Sequence, residues 1–146
     1  MEGGSVDVHF FSTYNNLFMP KNLLLIAASL GALAVILGAF GAHGLKAKIS
    51  PDQLQVFETG VKYLFYHALA LLFAALLFDK YPSPLLIYAA YAFLVGIVLF
   101  SGSLFLLANK DWLGIASWRW LGPVTPLGGL SFIIGWLLMA VGIWKG

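Results

Sequence analysis

Polar and apolar positions along this chain sort into four long apolar runs separated by short polar stretches. No Asp, Glu, Lys or Arg falls in residues 23–42, 63–78, 81–108 or 120–144. An uncharged apolar run of about 18 residues or more reads as a transmembrane helix. Three runs reach that length, and an amphipathic stretch extends the second upstream. The pattern predicts an all-α fold, a four-helix transmembrane bundle with spans at about 23–44, 58–78, 84–108 and 121–144. An amphipathic interfacial helical segment leads into span two. Residues 1–20 read as a loosely ordered N-terminal extension, and residues 21–146 as one four-span membrane domain.

The stretches between runs carry their own signals. In "SPDQ", Ser50 is placed to cap a helix, Pro51 suits its first position, and Gln53 completes a capping box. Leu54, Phe57, Val61 and Leu64 share one face of this helix. Glu58 and Lys62 stand four residues apart, in the order that favours an ion pair. The prolines of "DKYPSP" predict a tight turn. The tryptophans of "NKDWLGIASWRW" suit the headgroup layer. "TPLGG" reads as a proline-initiated helix start followed by a close glycine contact.

Small residues recur on one face of three spans. Ala27, Gly31, Ala34, Gly38 and Gly41 lie in span one, Ala89, Ala92, Gly96 and Ser103 in span three, and Gly128, Ser131, Gly135 and Gly142 in span four. In lipid such faces let helix backbones approach closely, so Gly31, Gly38, Gly41, Gly96, Gly128 and Gly135 are expected at helix contacts. Gly44 is expected to end span one as a glycine C-cap.

Composition excludes several classes. Hydrophobic residues make up 61% of the 146 positions and charged residues 10%, too few for a soluble domain of this size. A net charge of +2 without a Lys/Arg block gives no basis for nucleic-acid binding. The chain has no cysteine, so disulfides, thiolate metal sites and thiol redox chemistry are out. An even number of spans places both termini on one side. Lys46, Lys48, Lys62, Lys110 and Arg119 face Lys21, Lys80 and Lys145 across the membrane, so the positive-inside rule puts loops one and three in the cytoplasm.

Polar candidates are few. His67 lies inside span two, where an ionisable group is a functional hypothesis by default. His43 ends span one, and Ser101, Ser103 and Thr125 add hydroxyls. All five are expected toward the side of loops one and three. Two histidines without a carboxylate predict no metal and no haem, and no cofactor is expected. The glycines of "GAFGAHGL" do not form a dinucleotide or phosphate loop. No nucleophile–base pair and no HExxH occurs, so no catalytic residue is assigned.

Together "LGAFGAHGLK", "FETGVKYLFYHALALL", "FSGSLFLL", "TPLGG" and "FIIGW" resemble the YgdD/YwdK-like family of small membrane proteins, which includes the eukaryotic transmembrane protein 256. The resemblance covers about residues 21–144. It implies a multi-pass protein of the bacterial cell membrane and supplies no activity. The resulting expectation is a non-enzymatic accessory or scaffold protein that packs with itself or with a larger membrane complex. The alternative is a protein that binds or transports a small or lipid-like molecule at a polar site near His43, His67, Ser101, Ser103 and Thr125.

Overall fold

In the computed structural model, which describes residues 20–146, every regular element is helical. The N-terminal extension up to residue 19 lies outside the described residues. Helix α1 (Pro20–Phe40) runs into a π turn (Gly41–Leu45), and together they form span one. Helix α2 (Pro51–Lys80) is span two. Helix α3 (Pro84–Gly96), a second π turn (Ile97–Ser101) and α4 (Gly102–Ala108) make span three. Helix α5 (Leu121–Lys145) is span four.

The start of α2 follows its sequence signals. Gln53 N–H donates to Ser50 Oγ at 3.2 Å, and Ser50 N–H donates to Gln53 Oε1 at 3.0 Å. The Gln53 amide also donates to Asp111 Oδ2 at 2.6 Å, which ties loop three to the head of α2. Glu58 and Lys62 form no ion pair, although their spacing suits one. Replacing Ser50 by alanine is expected to cost about 1 kcal/mol, because the Gln53 N–H loses its side-chain acceptor. Hydrogen exchange would then quicken in the first turn of α2 and not in its lower half.

Two helix ends differ from the sequence reading. Helix α5 starts at Leu121, so Pro126 lies inside it and does not initiate it. Proline lacks an N–H, which leaves the Gly122 carbonyl without its helical donor, but this close to the N-terminus the helix continues. Gly44 is not a left-handed cap either. It sits within the first π turn, and Gly114 is the one glycine with positive φ among the described residues. A Cβ on Gly44 would lie 2.7 Å from the ring of Phe40, so this glycine makes room for its own helix's aromatic side chain.

The four spans pack mainly in chain order. Span one lies on α2, α2 on span three, and span three on α5, while α2 and α5 touch only sparsely. The core between them holds Leu64, Ala70, Ala74, Leu86, Ala89, Phe93 and Phe132.

Glycine sets these crossings, but less through backbone contact than through phenylalanine. The Phe57 ring fills the space beside Gly41, Phe105 fills that beside Gly60, Phe132 that beside Gly96, and Phe93 that beside Gly135. Only at Gly128 does a neighbouring backbone, that of Phe100, occupy the position of a Cβ. The sockets on α5 recur every seventh residue, at Gly128, Gly135 and Gly142, and their occupants Phe100, Phe93 and Leu86 recur at the same interval on span three. In each pair the two residue numbers add to one constant total, which Gly96–Phe132 and Ser103–Thr125 share. The two helices therefore run antiparallel in one unbroken register, the seven-residue repeat of knobs-into-holes packing.

Span one departs from expectation at one position. Ala27, Ala34 and Gly41 are buried, and a Cβ on Gly38 would make an ordinary 3.6 Å contact with Val61. A Cβ on Gly31 would meet nothing within 4 Å. The Cβ direction at Gly31 thus faces open space in the single chain, because α1 has a neighbour on one side only.

Candidate functional site

His67 is 5% exposed near the middle of α2, and the folded chain occupies both of its nitrogens. Nδ1 lies 2.8 Å from the Tyr63 carbonyl, one turn back. A carbonyl only accepts, so Nδ1 carries the proton. The indole N–H of Trp136, on α5, points at Nε2 from 3.3 Å. An indole only donates, so Nε2 accepts. These two contacts define a neutral imidazole in a single tautomer. Its ring lies flat on Phe132, with centroids 3.4 Å apart and planes 7° apart. Tyr63 and Phe100 approach to 4.5 Å alongside, and Phe93 meets Trp136 edge-on at 5.3 Å.

A cavity of about 540 Å³ opens beside this cluster, on the flank where α2 and α5 barely touch. Tyr63, His67, Phe100, Phe132 and Trp136 give it an aromatic wall. Pro126, Gly129, Leu130 and Ile133 complete it. Gly129 has no side chain, which leaves room beside the backbone of α5 there. Trp136 is half-exposed at the cavity edge. The site offers flat apolar faces beside an indole donor and an imidazole acceptor that are bonded to each other.

The five polar candidates do not assemble. Ser103 and Thr125 meet, with oxygens 2.7 Å apart. Ser103 gives its proton to the Phe100 carbonyl at 2.9 Å, so the Thr125 hydroxyl is the donor between them. Ser101 is 1% exposed in the second π turn, and its hydroxyl has no partner. His43 is exposed in the first π turn. Gly41 packs on Phe57, and His67 lies ten residues further along α2, so the two imidazoles are separated by about 15 Å of helix. At that distance His43 and His67 cannot ligate one metal ion or haem iron together. Among the described residues no group of three or more His, Cys, Asp or Glu could hold a metal ion.

The Ser103–Thr125 bond links span three to span four across apolar surroundings. Replacing either residue by alanine is expected to cost about 1 kcal/mol. A double-mutant cycle read by thermal unfolding in mild detergent should show a coupling of about 0.6 kcal/mol.

Sequence reasoning did not place Trp136 in the site, although a signal was present. Tryptophan favours the headgroup layers, and Trp136 lies near the middle of its span. An indole N–H at that depth requires a partner inside the protein, and His67 supplies it. The partners Tyr63, Phe100 and Phe132 gave no comparable signal, because aromatic residues in apolar spans are ordinary.

Alternating apolar helices with charges gathered at their ends define a multi-pass integral membrane protein. The chain belongs to the family described as protein of unknown function DUF423, whose model matches residues 37–129. Similar proteins include the UPF0382 membrane protein YwdK of Bacillus subtilis, 45% identical over 122 residues, which cover 83% of this chain and 94% of that protein. The UPF0382 membrane protein SAB0533 of Staphylococcus aureus is 40% identical over 125 residues, covering 86% of this chain and 97% of that protein. The UPF0382 inner membrane protein YgdD of Escherichia coli K12 is 38% identical over 120 residues, covering 82% and 87%. No solved structure matches the chain.

Proposed function

We propose that this protein binds, without chemical conversion, an apolar membrane-soluble molecule that enters the aromatic cavity sideways from the bilayer. The cavity of about 540 Å³ beside His67 carries this reading. A ring or unsaturated head packs against the cavity-facing sides of Tyr63, Phe100 and Trp136, since aromatic groups prefer offset or edge contacts. A single hydroxyl or carbonyl on the ligand exchanges with the His67–Trp136 hydrogen bond, which at 3.3 Å is long for its type. The engagement of both imidazole nitrogens favours binding over proton transfer. The site lies in a bacterial cell membrane, with loops one and three in the cytoplasm, where Lys46, Lys48, Lys110 and Arg119 lie.

Titration of the detergent-solubilised protein with a prenylated benzoquinone tests the proposal. Trp136 fluorescence should quench in a saturable way, and Trp136→Phe should remove the saturable component while the other four tryptophans remain. Quenching that rises linearly, or that survives Trp136→Phe unchanged, would sink the reading.

A second reading is assembly with another copy or with a larger membrane complex. Its support is that span one is the least covered of the four and that Gly31 faces open space. Crosslinking in native membranes through a cysteine at Gly31 would give a specific dimer or heteromer band, and a monomer only would count against it.

A further inference from the structure

A second groove lies on the opposite flank of α2, between it and α1. We propose that it holds one anionic phospholipid, with the phosphate on Lys62 and an acyl chain against Ala34, Val35, Val61, Phe65 and Tyr66. The groove measures about 270 Å³ and its wall is wholly apolar, Lys62 lining it with its methylenes.

Three observations carry the assignment. The exposed face of α2 grades from charged to apolar along its length, through Glu58 and Lys62 to Tyr66, Leu69 and Phe73. That order matches a phospholipid, headgroup first and chain after, read from loop one inward. Lys62 also has no carboxylate partner among the described residues, since Glu58 forms no ion pair with it. Lys62 stands toward the loop-one end of α2, and lipid phosphate is the anion that a membrane supplies at that end. The third observation is direction. Cβ bonds tilt toward a helix N-terminus, and the N-terminus of α2 lies at loop one. Lys62 therefore reaches upward along the helix, its methylenes on the groove wall and its head toward the phosphates.

The ligand chemistry is a phosphate diester attached to an acyl chain. Glu58, one turn nearer the loop, opposes that charge, so Glu58→Gln should tighten binding. The groove and the His67 cavity share no lining residue, so the two sites are separable by mutation.

The test uses the full chain in nanodiscs made from equal phosphatidylglycerol and phosphatidylcholine, followed by native mass spectrometry of retained lipid. The expected result is one retained phosphatidylglycerol, favoured about fivefold over phosphatidylcholine. Lys62→Gln should abolish the preference, whereas Lys110→Gln in loop three and Trp136→Phe should leave it unchanged. Val35→Trp should fill the groove and lower retention of both lipids. Lys62 and Val35 are exposed, so these variants keep the fold, which circular dichroism would verify. Equal retention of the two lipids by the parent protein overturns the proposal, as does a preference that persists in Lys62→Gln. Displacement of the bound lipid by millimolar glycerol phosphate would overturn the acyl groove and leave a bare anion site.

Discussion

Replacing Gly128 by alanine is expected to destabilise the protein by about 3 kcal/mol, and replacing it by leucine to prevent recovery of a folded species. The reason is what the new side chain meets. At Gly96 and Gly135 the neighbour is a phenylalanine ring, which has some freedom to tilt. At Gly128 it is the backbone of Phe100, which moves only if span three moves. A displaced span three also loses the Ser103–Thr125 bond one turn away and the Phe93 and Phe132 sockets beyond it, because all belong to one register. Thermal unfolding in mild detergent provides the measurement, with Gly102→Ala as its control. A methyl at Gly102 meets nothing within 4 Å. Unfolding of Gly128→Ala at the parent's temperature would mean that the crossing is looser than described.

Replacing His67 by alanine is expected to cost about 3 kcal/mol. It removes a ring stacked at 3.4 Å on Phe132 and leaves the Trp136 N–H without an acceptor at mid-membrane depth. His67→Phe separates these contributions. It keeps an aromatic face for Phe132 and strands only the indole, at a cost of about 1 kcal/mol. The emission of Trp136 should shift in both variants, since its hydrogen bond is gone in each. If His67→Phe proved as damaging as His67→Ala, the hydrogen bond and not the stack would dominate.

The helices were legible because lipid imposes a simple rule. Every backbone group within the bilayer must bond inside the protein, so charge-free runs become helices and polar stretches become ends. The capping signals at Ser50 and Gln53 were equally local, and they read correctly. The π turns were not legible, since nothing in "GAHGL" or "IVLFS" distinguishes five residues in a wide turn from five in an α-helix. Small-residue stripes marked which faces meet but not how. A glycine stripe predicts backbone approach and ring insertion equally well, and the choice depends on phenylalanines a whole span away. Which polar residues meet was not legible for a related reason. Hydroxyls and histidines can be counted along a sequence, but depth and facing decide which of them meet. Thr125 found Ser103, His67 found an indole, and Ser101 found no partner.

The chain-order packing has a consequence for biosynthesis. Span one can settle on α2 as soon as both have left the ribosome, and span three can follow on α2. His67, already in the membrane by then, still has an empty Nε2. Its donor sits on α5, which is made after the other three described spans. Until that helix enters, the histidine has one hydrogen bond and the cavity has no second wall. Insertion of α5 thus completes the pocket and the imidazole's hydrogen bonding together, and a nascent chain halted before α5 has neither.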